Sequence, residues 1–434
     1  MKTKFFILIL LLSNNFAFAQ NTGRRVEDDV SRIIRTLSSD SMRGRSALVV
    51  SSIEPATAFI ENEFRKIGLE PMNGLKTFRQ EFSMERISPK HVQVVVDGNP
   101  IRREDVIFIS DYENIEMSSG LSVMSINYNP TIFNTRQHFF QKAYAFMNDT
   151  SSAIMVVAPE FREAFVEFKG YFENHFVSNK NSTKVYVLAE PSIGSYSLKV
   201  NQKIEKIAMT NVVGVIPGRT KPDEIVLFSA HYDHIGILPP IQGDSIANGA
   251  DDNASGTTAV IELARYFKKR QENNRTLIFV AFTAEEIGGL GSKHFSEQLD
   301  PEDIVAMINI EMIGKQSKWG KHVVFMTGHE RSDLGRILER NVQGTEFSFK
   351  PDPYPELGLF YRSDNATLAR LGVPAHTIST DQIDVDEFYH SVDDEFETLD
   401  IENIISTIRA IAAGSRSLVD GTDTPTRIDN TVVE

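Results

Sequence analysis

The chain has 434 residues, of which 41% are apolar, and it carries a formal charge of −14. That length fits one large domain with an insert, or two domains. An acidic balance argues against a nucleic-acid binder, which needs a basic patch to displace counterions, and the absence of cysteine excludes disulfides and thiolate-bound metals.

Residues 1–19 have the form of a secretory signal. Lys2 and Lys4 make a charged start, Phe5 to Leu12 are an unbroken apolar run, and Ala17-Phe18-Ala19 puts small residues before a cut at Gln20. Cleavage would take the formal charge from −14 to −16 and deliver the protein to the periplasm or the outside. The run is too short to cross a bilayer, which takes ~20 residues. No later stretch is apolar enough, so no stable membrane insertion is expected.

Residues 20–100 form the first part of the main domain. Val30, Ile33, Ile34 and Leu37 share one helical face, and a second helix is expected from about Pro55, with Ile60, Phe64 and Ile67 inward and a stop at Gly68. His91-Val92-Gln93-Val94 alternates, as a strand does. Residues 101–204 read differently. Short β-like runs, Ala153 to Val157 and Lys184 to Leu188, lie between aromatic, poorly periodic stretches. This pattern predicts an inserted, β-rich lobe.

From 205 to 420 the pattern is strand, loop, helix. Asn211 to Ile216, Ile225 to Phe228, Leu277 to Phe282, Val305 to Ile310 and Val323 to Met326 are strand-like. Val260, Leu263, Ala264 and Phe267 mark one helix face, and Ile404, Ile408 and Ile411 another. A near-continuous apolar run such as Leu277 to Phe282 suits a central strand covered on both sides. The expectation is an α/β three-layer sandwich with a mostly parallel central sheet. Residues 421–434 read as a loose tail.

Five patches after the apolar runs carry metal-ligand chemistry: His231-Tyr232-Asp233, Asp251-Asp252, Glu285-Glu286, Glu311 and His390. In open α/β sheets ligands gather beyond the carboxyl ends of the strands, where these patches would meet. Imidazole nitrogen with carboxylate oxygen favours zinc over calcium or magnesium. Asp233, two residues after His231, can hold its second ring nitrogen. One of Asp251 and Asp252 can bridge two cations while the other tunes a neighbour, although carboxylates before a helix are also ordinary caps. Of Glu285 and Glu286, one suits a metal ligand and the other a base that takes the proton of an activated water. Glu311 ends so apolar a run that an unpaired carboxylate there would be costly. His234, His294, His322, His329 and His376 show no comparable case, and His376, after Pro374, suits a packed or surface place better than one lining the cleft.

Taken in order, SAHYDHIG, NGADDNASGTTAVIELAR, FTAEEIGGLGSKHF, NIEMIG and FYHSVDD resemble the M28 family of co-catalytic zinc peptidases. SDSMRGR, near Arg43, and RSDNATLARLGVPA resemble it as well. The resemblance covers most of the chain outside the insert. It implies two zinc ions, with His231 and Glu311 on one, Glu286 and His390 on the other, and Asp251 bridging. It also implies Glu285 as general base, Asp233 orienting His231, a cis Asp251–Asp252 peptide, and Tyr389 stabilising the oxyanion. The activity implied is release of N-terminal residues from peptides. Carboxypeptidase-type, glutaminyl-cyclase-like and non-catalytic receptor-like relatives are the alternatives. Two departures stand out: Glu311 where many members have aspartate, and Asn365 where histidine often follows Ser-Asp. The insert lies where some relatives carry a protease-associated lobe.

Overall fold

The computed structural model describes residues 26–131, 135–172, 175–177, 182–190 and 193–432. The export signal expected at 1–19 lies outside these residues. The chain divides into two compact units. One comprises the described residues up to Phe82 together with Met209 onward, and the other is Ser83–Ala208.

The first unit is built on strands whose two faces are both buried. Its strands are β1 (Arg79–Val96) and β2 (Tyr196–Ile216), which carry the chain into and back from the second unit, then β3 (Lys221–His231), β4 (Arg275–Phe282), β5 (Ile304–Ile310), β6 (Val323–Met326), β7 (Ser348–Pro351) and β8 (Ala375–Ser379). The spatial order is β7-β6-β8-β5-β3-β4-β2. β3 runs parallel to both β4 and β5, and β5 runs parallel to β8. β2 and β6 pair antiparallel with β4 and β8.

Strand residues alternate between faces, and here both faces are apolar. Phe228, Leu277, Phe279, Ala281 and Ile308 join one core. Leu227, Ile278, Val280, Phe282 and Met307 join another on the opposite face. The first core is roofed by α1 (26–37), α2 (Val50–Ile67), α3 (Gly256–Arg270), α5 (Leu334–Asn341) and α7 (Ile401–Gly414). The second is covered through Phe295 of α4 (Leu290–Ser296) and Leu368 of α6 (Asn365–Ala369). This is the three-layer α/β sandwich expected. Val30, Ile33, Ile34 and Leu37 are fully buried, as their spacing predicts. The second helix begins before Pro55, at Val50, because the Val49 carbonyl already accepts the Ser52 and Ile53 N–H groups. It ends at Gly68, whose left-handed backbone (φ +82°) lets its N–H cap the last turn.

The second unit is wider at both ends than the 101–204 read from sequence, since the long strands β1 and β2 contribute to it. It has a sheet of Val106–Ser110, Thr183–Leu188, Ala153–Val157 and Ser122–Ile126, in that order, with only the first strand antiparallel. Two helices, Thr135–Asn148 and Arg162–Phe172, lie beside these strands, so the lobe is α/β in make-up. Phe139, Phe161, Phe165, Phe168 and Tyr186 fill its core, which accounts for the aromatic, weakly periodic sequence.

Candidate metal centre

The chemistry-bearing residues collect beyond the carboxyl ends of the central strands. His231 is the last residue of β3, Glu311 follows β5 directly, and Glu285 comes three residues after β4. The turns that present them are forced into uncommon backbone. Ala284 before Glu285 (φ +60°), Met312 after Glu311 (φ +49°) and His390 itself (φ +54°) are all left-handed without being glycine. Such conformations persist where the surroundings over-determine them, often at working sites.

One side chain stands at the middle of the group, and it is Asp252. Its Oδ1 lies 3.2 Å from His231 Nε2, and its Oδ2 lies 3.2 Å from His390 Nε2. Glu311 Oε1 is 3.5 Å from the same His231 nitrogen, and Glu286 Oε2 is 3.1 Å from the same His390 nitrogen. His234 joins the second group, with Nδ1 2.7 Å from Glu286 Oε1 and 3.8 Å from Asp252 Oδ2. Two donor sets therefore share one carboxylate: His231, Asp252 and Glu311, and His234, Asp252 and Glu286 with His390 alongside.

This corrects the assignment of Asp251 as the bridge. Asp251 turns away from the histidines. Its Oδ1 accepts the Gly314 N–H at 2.7 Å and the Ser255 hydroxyl at 3.2 Å, and its Oδ2 faces Lys315 Nζ at 3.6 Å. The cis peptide lies one residue later than expected too, between Asp252 and Asn253. Adjacent aspartates on a tight turn point in different directions, and residue type alone does not tell which faces the histidines. Gly249, which opens this turn at φ +56°, has no room for a side chain, since a Cβ would stand 2.3 Å from the Asp252 carbonyl oxygen.

Asp233 is placed differently from the expectation as well. His231 Nδ1 lies 3.1 Å from the Asp233 carbonyl oxygen, while the Asp233 carboxylate is 3.8 Å away. That carboxylate accepts the Glu285 N–H at 3.1 Å. Asp233 thus links the His231 ring, through its main chain, to the turn that carries Glu285. Tyr389 stacks on the His390 ring, with centroids 3.9 Å apart, and lines a pocket with Glu311.

Residues outside the expected set hold the loops. Arg45 is fully buried and donates to the carbonyls of Tyr232 (2.8 Å), Leu37 (2.7 Å) and Gly249 (2.8 Å). It thereby clamps the loop of His231 to the loop of Asp252. Its cationic form is disfavoured by burial, which brings it down to about 10, and favoured by Asp394, Asp252, Asp233 and Glu286. The Asp394 carboxylate accepts the N–H groups of Asp251 (2.9 Å) and Asp252 (3.0 Å). The Thr257 hydroxyl holds the His231 carbonyl at 2.7 Å. Arg45 lies in the SDSMRGR stretch, where the sequence carried a family likeness but no assigned role.

The electrostatics are those of a cation site. His390 is held up to about 10: burial opposes its charge, and Asp252 and Glu286 overcome that. His231 is raised for the same reason, against burial, by Glu285, Asp252 and Glu311. Burial pushes Glu285 well above the ordinary carboxylate range, against the pull of His231 and with the help of Glu311, Asp364 and Glu286. A metal fits these residues. His231 Nε2, Asp252 Oδ1 and Glu311 Oε2 are buried atoms without a hydrogen-bond partner, and all three belong to residues of one donor set. Imidazole and carboxylate donors of this kind suit zinc.

Residues 211–414 match the model of peptidase family M28. This segment is an M28 peptidase domain. The chain is 29% identical over 220 residues to a probable leucine aminopeptidase of Trichophyton verrucosum (strain HKI 0517), covering 49% of this chain and 58% of that protein. It is 34% identical over 115 residues to aminopeptidase YwaD of Bacillus subtilis (strain 168), covering 26% of this chain and 23% of that one. The matches thus span 58% and 23% of the length of these two relatives. The fold matches an aminopeptidase from Aneurinibacillus sp. strain AM-1 with a TM-score of 0.57 at 16% identity, over 94% of this chain and 96% of the other. It also matches the zinc aminopeptidase BSAP from Bacillus subtilis with a TM-score of 0.54 at 17% identity, over 92% and 96%. The mostly parallel sheet and its flanking helices are therefore those of the M28 zinc peptidases.

Among the described residues no helix is long and apolar enough to cross a membrane. His376, left aside in the sequence reading, is a packed residue. It is fully buried on β8, with Nε2 2.7 Å from the Ser332 hydroxyl and Nδ1 2.9 Å from the Thr327 carbonyl. Asn365, the other departure, is likewise structural, donating to the Phe360 and Ala375 carbonyls and accepting from Thr377.

Proposed function

We propose that the chain is an exported di-zinc aminopeptidase that removes N-terminal residues from peptides. The observation that carries this reading is a pair of donor sets sharing Asp252, with Glu285 anchored beside them. Two metals so held would supply Lewis-acid polarisation of the scissile carbonyl and would acidify the attacking water. Glu285 takes the water's proton. Burial favours the protonated carboxyl, from which Glu285 hands the proton to the peptide nitrogen as the C–N bond breaks. The Asp233 carboxylate, bonded to the Glu285 N–H, fixes the turn that aims the base. Tyr389, beside Glu311 on the pocket wall, donates its hydroxyl proton to the oxygen that gains charge. The names of the relatives, leucine aminopeptidase and aminopeptidase, favour the amino end of the substrate. The shared carboxylate favours two ions over the single ion of a cyclase.

The test is metal content with substrate choice on purified full-length protein. Two zinc equivalents per chain are expected, with hydrolysis of peptides that have a free N-terminus and none of N-acetylated ones. Cleavage that tolerates the acetyl group but requires a free C-terminal carboxylate would replace the reading with a carboxypeptidase, and zinc-loaded protein without hydrolysis would end it. Glu285→Gln should keep both metals and lose roughly 10²–10⁴-fold in rate. Export has its own test: native material should begin at Gln20, and sequencing that begins at Met1 removes that part.

A further inference from the structure

Beside the metal centre lies a second group of carboxylates. Asp251, Asp381 and Asp386 offer oxygens that all fall within 4.8 Å of one another. Lys315 supplies one positive charge, with Nζ 2.6 Å from Asp386 and 3.6 Å from Asp251. Asp381 feels that charge only through space, since the direct ion pairs of Lys315 are with Asp386 and Asp251. Only 2% of Asp381 is exposed, and neither carboxylate oxygen has a hydrogen-bond partner, the Gln382 N–H acting on it only weakly. One ammonium against three carboxylates leaves this corner short of positive charge. A buried carboxylate without a partner is costly.

Asp381 also lies on the wall of the pocket that opens at the metal centre. Glu311 and Tyr389 border that pocket on the metal side, and Met312, Phe325, Leu359 and Ile383 give it apolar walls. Methylenes of a substrate side chain can lie along those walls while a terminal cation meets the carboxylate. Arg362, also on this pocket, is exposed, and its repulsion of a cationic side chain is screened by water.

We infer that Asp381 is the specificity residue of this pocket and that the enzyme prefers peptides beginning with lysine or arginine. The inference rests on the aminopeptidase reading and narrows it. The side chain next to the scissile bond enters past Glu311, and its ammonium or guanidinium supplies the charge that Lys315 leaves missing at Asp381.

The experiment compares Lys-, Arg-, Leu- and Glu-p-nitroanilide on zinc-loaded full-length protein. In the unaltered protein, Lys and Arg should exceed Leu in kcat/KM by roughly 10- to 100-fold, the scale of a charge-assisted hydrogen bond. Asp381→Asn should abolish that margin while leaving the Leu substrate and the zinc content unchanged. A preference for Leu in the unaltered protein overturns the inference, and so does a preference for Glu, which would assign the pocket to Arg362. Equal losses on Lys and Leu with a lowered melting temperature would reduce Asp381 to a structural part. A third metal equivalent that disappears in Asp381→Asn would make the cluster a cation site instead. If no aminoacyl anilide is cleaved at all, the aminopeptidase reading itself falls, and that outcome is distinct from cleavage without a basic preference.

Discussion

Asp251 and Asp252 are neighbours in sequence, both fully or almost fully buried, yet they belong to two acidic clusters built on opposite principles. The Asp252 cluster meets its carboxylates with histidines: His231, His234 and His390. The Asp251 cluster meets its carboxylates with a lysine. An imidazole can give up its proton and offer the freed lone pair to a metal, so its positive charge is exchangeable. An ammonium has no lone pair to offer while it is charged. The first cluster is thus a place for cations to come and go, and the second is permanently, though incompletely, neutralised. Burial raises two carboxyls of the second cluster, Asp251 to about 6 and Asp381 to about 8, whereas in the first burial is overcome by the pull of His231 and His390, which holds Asp252 well below the ordinary carboxylate range.

The comparison breaks most decisively at the aspartate pair. Asp252→Asn should remove an oxygen from both donor sets, so that metal content and peptide hydrolysis are both lost. Asp251→Asn should retain the metals, because its carboxylate is occupied by Gly314 and Ser255. Elemental analysis of the two variants decides between them. Metal lost from Asp251→Asn and kept by Asp252→Asn would restore the assignment that the sequence suggested.

Lys315→Met tests the second cluster. Three carboxylates would then share a buried corner without a counter-charge, and removing one partner of a buried pair costs about 3–5 kcal/mol. The loss should appear in denaturant unfolding at neutral pH. It should shrink as pH falls, because protonated carboxyls need no cation. A variant as stable as the unaltered protein would mean that the corner admits enough water to neutralise itself.

A third comparison sets the histidines of the metal centre against His376. Carboxylates raise His390 to about 10, whereas burial without any facing carboxylate brings His376 down to about 4. His376 therefore stays neutral in the fold while the unfolded chain takes up a proton below pH ~6.5. Its share of stability is intact above that pH and is lost as pH falls toward 4, amounting to ~3 kcal/mol over that span. In His376→Gln, unfolding of metal-free protein should depend less steeply on pH between 6.5 and 4. An unchanged slope would mean that the ring is reached by water.

The sheet was legible in the chain because its strands are apolar on both faces, and Leu277 to Phe282 sends alternate residues into two cores. Glu311 was legible because an acid after so apolar a run needs a partner, and His231 lies at the end of a strand as read. The choice between Asp251 and Asp252 was not legible. It depends on the turn geometry at Gly249 and on the capping of both N–H groups by Asp394, more than a hundred residues away. The clamp by Arg45 was hidden for the same reason, since its partners are main-chain carbonyls, which leave no mark in side-chain patterns. The second unit's helices were obscured by aromatic residues that pack on one another more than they repeat.

His234 is the sharpest remaining case, because it sits only three residues from His231 and had no sequence signal of its own. Its Nδ1 is 2.7 Å from Glu286, and its ring centroid is 5.8 Å from that of His390. His390 is nearer to Asp252, at 3.2 Å against 3.8 Å, so the two histidines divide the second donor set unequally. If His390 is the ligand and His234 orients Glu286, their removal should differ in degree. His390→Ala should empty the second site. His234→Ala should keep it and weaken zinc by roughly 10- to 100-fold, the usual effect of losing a partner that orients a ligand. Competition with a chromophoric chelator reads both values. The reverse ranking would make His234 the ligand and leave His390 to hold Glu286 from the outside.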